Sequence, residues 1–131
     1  MKKIASFLLI GIFIICCSSD KNIPDHHSLL GNWNWIESTG GFAGVTLTPE
    51  STGNTIILQI SNTTIKKYVN GKLESELKYT IEIGPSIFGD KKPMIVYEND
   101  SKSSFELVDN QLILNEECND CFQSKYLRKT P

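Results

Sequence analysis

After residue 30 the chain reads as short alternating or continuous apolar runs separated by turn residues. The clearest run places Leu73, Ser75, Leu77, Tyr79, Ile81 and Ile83 on one face and Glu74, Glu76, Lys78, Thr80 and Glu82 on the other. Such a pattern predicts a strand with one buried and one solvated side. Gly84-Pro85 is expected to end it. The first run puts Trp33, Trp35 and Glu37 on one face and Asn32, Asn34 and Ile36 on the other. Further strands are predicted over Thr55–Ile60, Ile65–Val69, Met94–Tyr97, Ser104–Val108, Leu112–Leu114 and Phe122–Arg128. Asn70-Gly71 is a strong hairpin signal, and Asp109-Asn110 supplies turn chemistry. No stretch carries the 3.6-residue period of an amphipathic helix of any length. Ser38–Thr52, rich in glycine, reads as one long irregular connection, with Val45-Thr46-Leu47 fit for a short extra strand.

About eight successive strands joined mostly by short turns predict an all-β fold, a small up-and-down antiparallel β-barrel. Closing the sheet removes the edges that would otherwise invite aggregation. A Greek-key sandwich needs a long crossover between strands. The only long connection here follows the first strand, which favours the barrel.

The N-terminus is of a different kind. Lys2 and Lys3 precede an apolar run, Ile4–Ile15, of about 12 residues. Crossing a bilayer takes about 20, so the run reads as a secretory signal to be excluded from the fold. It ends in Cys16-Cys17-Ser18-Ser19-Asp20. This resembles the lipobox of bacterial lipoproteins, in which a cysteine thiol is acylated after cleavage just before it. The resemblance implies lipid attachment at Cys17, because Cys16 is then the small preceding residue; attachment at Cys16 would place the bulky Ile15 there. An uncleaved anchor is the bland alternative. Residues 1–16 are thus expected as signal peptide, 17–28 as a lipidated tether and 29–131 as the folded domain. Ser18-Ser19-Asp20 resembles the mature start of lipoproteins in a large group of Gram-negative bacteria. It implies a cell-envelope protein held by palmitate-type chains, with the outer membrane as the expected address. At ~0.8 kcal/mol per buried CH₂, two or three such chains hold a protein on a membrane almost permanently.

A second resemblance lies in the domain. Gly31-Asn32-Trp33 looks like the G-x-W of lipocalins, and Tyr126-Leu127-Arg128 is similar in placement to their final arginine segment. The order Trp33/Trp35, Gly40-Gly41, Thr48-Pro49-Glu50-Ser51, Asn70-Gly71 and Tyr126/Arg128 resembles short lipocalin-like bacterial lipoproteins. This implies a lipocalin-like barrel closed by Gly31, Trp33 and Arg128, with the guanidinium over the indole. It also implies non-catalytic binding of a small, mostly apolar ligand. Trp35, Tyr68, Tyr79, Tyr97 and Phe105 are the candidate cavity wall. The competing reading is a filled barrel acting as an accessory or protein-interaction module of the envelope.

Composition narrows the chemistry further. Removing Lys2 and Lys3 leaves 11 basic against 15 acidic residues, interspersed, with no basic stripe, so no nucleic-acid partner is expected. Cys118-Asn119-Asp120-Cys121 is a C-x-x-C. Zinc would need further ligands, and the only histidines, His26 and His27, fall in the predicted tether. A thioredoxin-type site must open a helix, whereas strand-like residues follow this motif. A structural disulfide in an oxidising compartment is favoured, with free thiols as the alternative. No activated nucleophile and no paired carboxylates converge, so neither an enzyme nor a cofactor or metal is expected.

Overall fold

The computed structural model of the protein describes residues 24–131. A one-turn helix, α1 (His26–Leu29), leads into β1 (Gly31–Gly40), then β2 (Val45–Leu47) and a second one-turn helix, α2 (Pro49–Thr52). The remaining strands are β3 (Ile56–Ile60), β4 (Thr64–Val69), β5 (Lys72–Ser86), β6 (Gly89–Tyr97), β7 (Lys102–Val108), β8 (Gln111–Glu116) and β9 (Phe122–Arg128). The expected signal peptide and Cys17 lie outside the described residues.

From β3 to β9, neighbours in sequence are antiparallel neighbours in the sheet. β1 joins the two ends: Trp33 pairs with Leu58 of β3 on one side and with Arg128 of β9 on the other. The sheet is therefore a closed eight-stranded up-and-down barrel of β1 and β3–β9. β2 stands outside the ring, paired with the last residues of β1. Alternate side chains point inward and form one core, including Trp33, Trp35, Leu58, Ile60, Ile65, Tyr79, Ile95, Phe105, Leu112, Leu114 and Tyr126.

A β-bulge between Trp35 and Glu37 turns Ser38, not Glu37, to the inner face of β1. Three further expectations change. The Ser38–Thr52 connection is more ordered than its composition indicates: β1 runs on to Gly40, and α2 is held by a capping box between Thr48 and Ser51. Gly40 is required there, because its φ is +147° and a Cβ would collide with the Cys121 carbonyl oxygen. Ordered structure also begins ahead of Leu29. His26 to Ser28, assigned from sequence to the tether, belong to α1, where Asp25 caps the turn and Leu29 is fully buried. A single turn is too short to show a helical period, so its polar composition masked it.

The third change concerns Gly84-Pro85, which does not end β5. The strand continues to Ser86 and forms a long hairpin with β6. Two prolines sit where their missing N–H costs no ladder bond. Tyr79 N–H donates to Thr63 on the β4 side, whereas Glu98 N–H donates to Lys78 of β5. That phase points the nitrogen of Pro85 toward the β4 side, past the point where β4 pairing ends at Lys78. Tyr97 N–H donates to Ser101, so Pro93 faces β7, where pairing stops at Met94↔Ser104. Freed from β7, the hairpin bends outward and crosses the outer wall. At its tip the Ser86 hydroxyl and the Ile87 N–H donate to Glu117 at 2.9 and 2.8 Å. Met94 and Ser104, which alternation turns outward, are buried beneath it.

Candidate functional site

One end of the barrel is sealed. The Trp33 indole N–H donates to the Leu29 carbonyl of α1 at 2.9 Å. The Arg128 guanidinium lies 4.1 Å over the Trp33 ring and donates to the carbonyls of Leu30, at 2.8 Å, and Ser28. Gly31 has φ +126°, and a Cβ there would stand 3.2 Å from Arg128 Nη1. Residues from both ends of the domain thus converge on one floor, and α1 covers it. Phe105, Ile95 and Leu112 fill the space above Trp33 and are essentially without exposure.

Above this floor the barrel is hollow. A cavity of about 240 Å³ is lined by Leu58, Ile65, Lys67, Ser75, Leu77, Tyr97, Ser103, Leu114, Glu116 and Tyr126. All ten lie on the inward parity of their strands. Leu58, Ile65, Leu114 and Tyr126 are buried, whereas Glu116 is exposed and Lys67 half-buried. The wall is apolar and phenolic toward the floor and charged at the mouth. Lys67 Nζ pairs with Glu74 at 2.7 Å, and Glu116 accepts the Phe122 N–H at 3.2 Å.

Burial pushes the Tyr97 phenol above its ordinary value, partly offset by the neighbouring Ser103 hydroxyl and reinforced by the charge of Glu116. Burial likewise raises Tyr126, with smaller effects from Ser124, Tyr97 and Glu116. Both phenols therefore stay neutral at physiological pH and keep a proton to donate.

Among the aromatics proposed for the wall, Tyr97 lines the cavity. Trp35 packs in the core, its indole N–H donating to Ser38 Oγ at 2.8 Å, which in turn lies 2.6 Å from Ser124 Oγ. Phe105 belongs to the packed floor. Tyr79 is also at the floor, where its hydroxyl donates to the Ser61 carbonyl at 2.7 Å and meets His26 Nε2 at 2.8 Å. Tyr68 has the outward parity and lies on the barrel exterior, 3.5 Å from Gln59 Oε1. Its parity is opposite to that of Ile65 and Lys67, which carries it to the outer face. Sequence reasoning missed Lys67, Ser75, Ser103 and Glu116. The signal was present as polar residues on otherwise apolar inward faces: Lys67 shares the parity of Ile65, and Ser75 that of Leu77.

At the mouth, Cys118 and Cys121 form a disulfide across a two-residue turn. The two sulfurs and a Glu116 oxygen lie within 4.8 Å of one another, but the sulfurs are bonded to each other and offer no thiolates. Two outer clefts flank the folded hairpin. One, of about 540 Å³, reaches from Met94 and Ile87 to Glu116; the other, of about 430 Å³, runs between Phe88 and Phe122.

Comparison with known proteins is silent on this arrangement: no family model, curated protein or solved structure matches the chain.

Proposed function

We propose that the protein is a lipocalin-like lipoprotein of the bacterial cell envelope that binds a small amphipathic molecule without transforming it. The observation that carries this reading is the hollow half of the barrel, with leucine walls, neutral phenols and a charged mouth above a sealed floor. Such a site favours a ligand whose apolar part goes in first. At about 240 Å³ it lies below the usual range of drug-sized pockets, roughly 300–1,000 Å³. A long acyl chain therefore fits poorly, and the mostly apolar ligand expected from the sequence becomes a short, amphipathic one. Non-catalytic binding accords with the surroundings of the hydroxyls. Both histidines of the chain belong to α1 beneath the floor, and neither lines the cavity with Ser103.

Anchoring would come from acyl chains on Cys17, with residues 17 to 25 linking the lipid to the plugged end. Metabolic labelling with palmitate checks this part: label should be retained in Cys16→Ser and lost in Cys17→Ser. Ligand binding is checked by calorimetry and thermal shift with small amphiphiles on the purified chain. Absence of heat and of any melting shift across the panel would sink it.

A second reading is favoured by one observation. Phe42, Ile87 and Phe88 expose 95%, 54% and 57% of their surface on loops around the outer wall. An accessory module that docks through these tips would tolerate a filled cavity. Substituting all three with serine would then abolish its association with partners while leaving calorimetric ligand binding intact.

A further inference from the structure

The mouth of the cavity carries two opposite charges that do not meet. Lys67 lies on β4 and Glu116 on β8, four strands apart in either direction round the eight-stranded ring, so they face each other across the opening. Lys67 is paired with Glu74 instead, and Glu116 holds a backbone N–H. Each keeps unused capacity: an ammonium has three donors and a carboxylate about four acceptor sites. The wall beneath them is leucine, isoleucine and neutral phenol. The volume, about 240 Å³, holds on the order of ten non-hydrogen atoms, judged against roughly 30 Å³ for a water in the liquid.

We propose that the ligand is a small zwitterion of amino-acid size, with one ring or a short branched chain inserted between Leu58, Leu77 and Leu114, its carboxylate toward Lys67 and its ammonium toward Glu116. This deepens, and rests on, the small-ligand reading. A molecule carrying only one of the charges leaves the other mouth residue without a ligand partner, Lys67 keeping Glu74 alone, and places a like charge opposite it. A zwitterion satisfies both with charge-assisted hydrogen bonds, in a partly desolvated site where such bonds are strongest. Tyr97 and Ser103 offer neutral hydroxyls beside Glu116 for a polar substituent of the ligand. Selectivity then comes from the pair of charges, and the apolar wall sets the size limit.

The test is calorimetry on the full chain in mild detergent with four probes: L-phenylalanine, phenethylamine, phenylacetate and palmitate. L-phenylalanine is expected to bind, and each singly charged analogue to bind at least about tenfold more weakly. Lys67→Met should weaken L-phenylalanine and erase its advantage over phenethylamine. Glu116→Gln should erase its advantage over phenylacetate. Leu77→Trp, which fills the cavity, should abolish binding while circular dichroism and melting show an intact barrel. Equal binding of the singly charged analogues would overturn the zwitterion assignment and leave the small-ligand reading standing. Binding of palmitate without L-phenylalanine would overturn the zwitterion assignment and the short-ligand reading alike. Retention of L-phenylalanine by a folded Leu77→Trp would overturn the placement. No binding by any probe would remove both readings together.

Discussion

Arg128 bonds two carbonyls of the N-terminal segment and covers an indole with one side chain. Cation–π attraction contributes ~0.5–2 kcal/mol and hydrogen bonds from a charged donor ~1.5–3 kcal/mol. Arg128→Ala is therefore expected to lower unfolding stability by about 2–4 kcal/mol in denaturant titration. Arg128→Lys should recover less than half of that, because a lysine cannot present the same fork to two carbonyls. Full recovery of the unsubstituted protein's stability in Arg128→Lys would show that charge alone is enough. Gly31 belongs to the same floor: Gly31→Ala strains a positive-φ position and crowds Nη1, at an expected cost of about 1–3 kcal/mol. The sequence offered these contacts only through the resemblance of Gly31-Asn32-Trp33 and Tyr126-Leu127-Arg128 to lipocalin segments. The support from α1 was not legible, since its carbonyls carry no residue signature.

At the scale of elements, the β5–β6 hairpin depends on one carboxylate. Burial pushes Glu117 up, but the Ser104 hydroxyl nearby, the Ile87 N–H, the Ser86 hydroxyl and Lys92 pull it further down, and the net result is below its ordinary value of 4.5. A lowered folded pKa means that its stabilising effect is complete above the unfolded value and is lost as pH falls through the folded one. Hydrogen exchange at Ile87 should therefore accelerate, relative to the barrel strands, as pH falls below 4.5 and through the lowered folded value. Glu117→Gln should show fast Ile87 exchange with no such acid step; a step that persisted there would assign it to another group. The Cys118–Cys121 bridge closes so short a loop that removing it by a double serine substitution should cost roughly 2 kcal/mol, read by chemical denaturation. Alternation and β-branched content located nearly every strand, yet the Gly84-Pro85 turn signal placed a stop inside β5. Proline terminates a strand only when its nitrogen faces a partner, and Pro85 faces none. That depends on where β4 ends, which no local pattern encodes.

At the scale of the molecule, closure brings residues from all eight strands around one space, solid in one half and hollow in the other. Tyr79, Tyr97 and Tyr126 all have phenols raised above 10.0, mainly by burial. Raised folded values mean that their contribution is fully present below the unfolded pKa near 10 and is lost as pH climbs beyond it. Stability should therefore hold to about pH 10 and then fall, with phenolate absorbance rising together with unfolding. Phenolate absorbance for all four tyrosines while the barrel remains folded would contradict this. The barrel itself was readable from strand count and turn spacing. The cavity was not, because its volume depends on which inward side chains are short or polar at one height, and that height is set by strand stagger.

The most direct test of a half-hollow barrel needs no knowledge of the ligand. Xenon enters cavities with apolar walls and shifts the methyl resonances it touches. With methyl-labelled full chain under xenon pressure, Leu58, Leu77 and Leu114 should shift while Ile95 and Leu112 in the floor stay fixed. Static Leu58, Leu77 and Leu114 methyls, or shifts centred on Ile95 and Leu112, would contradict the account.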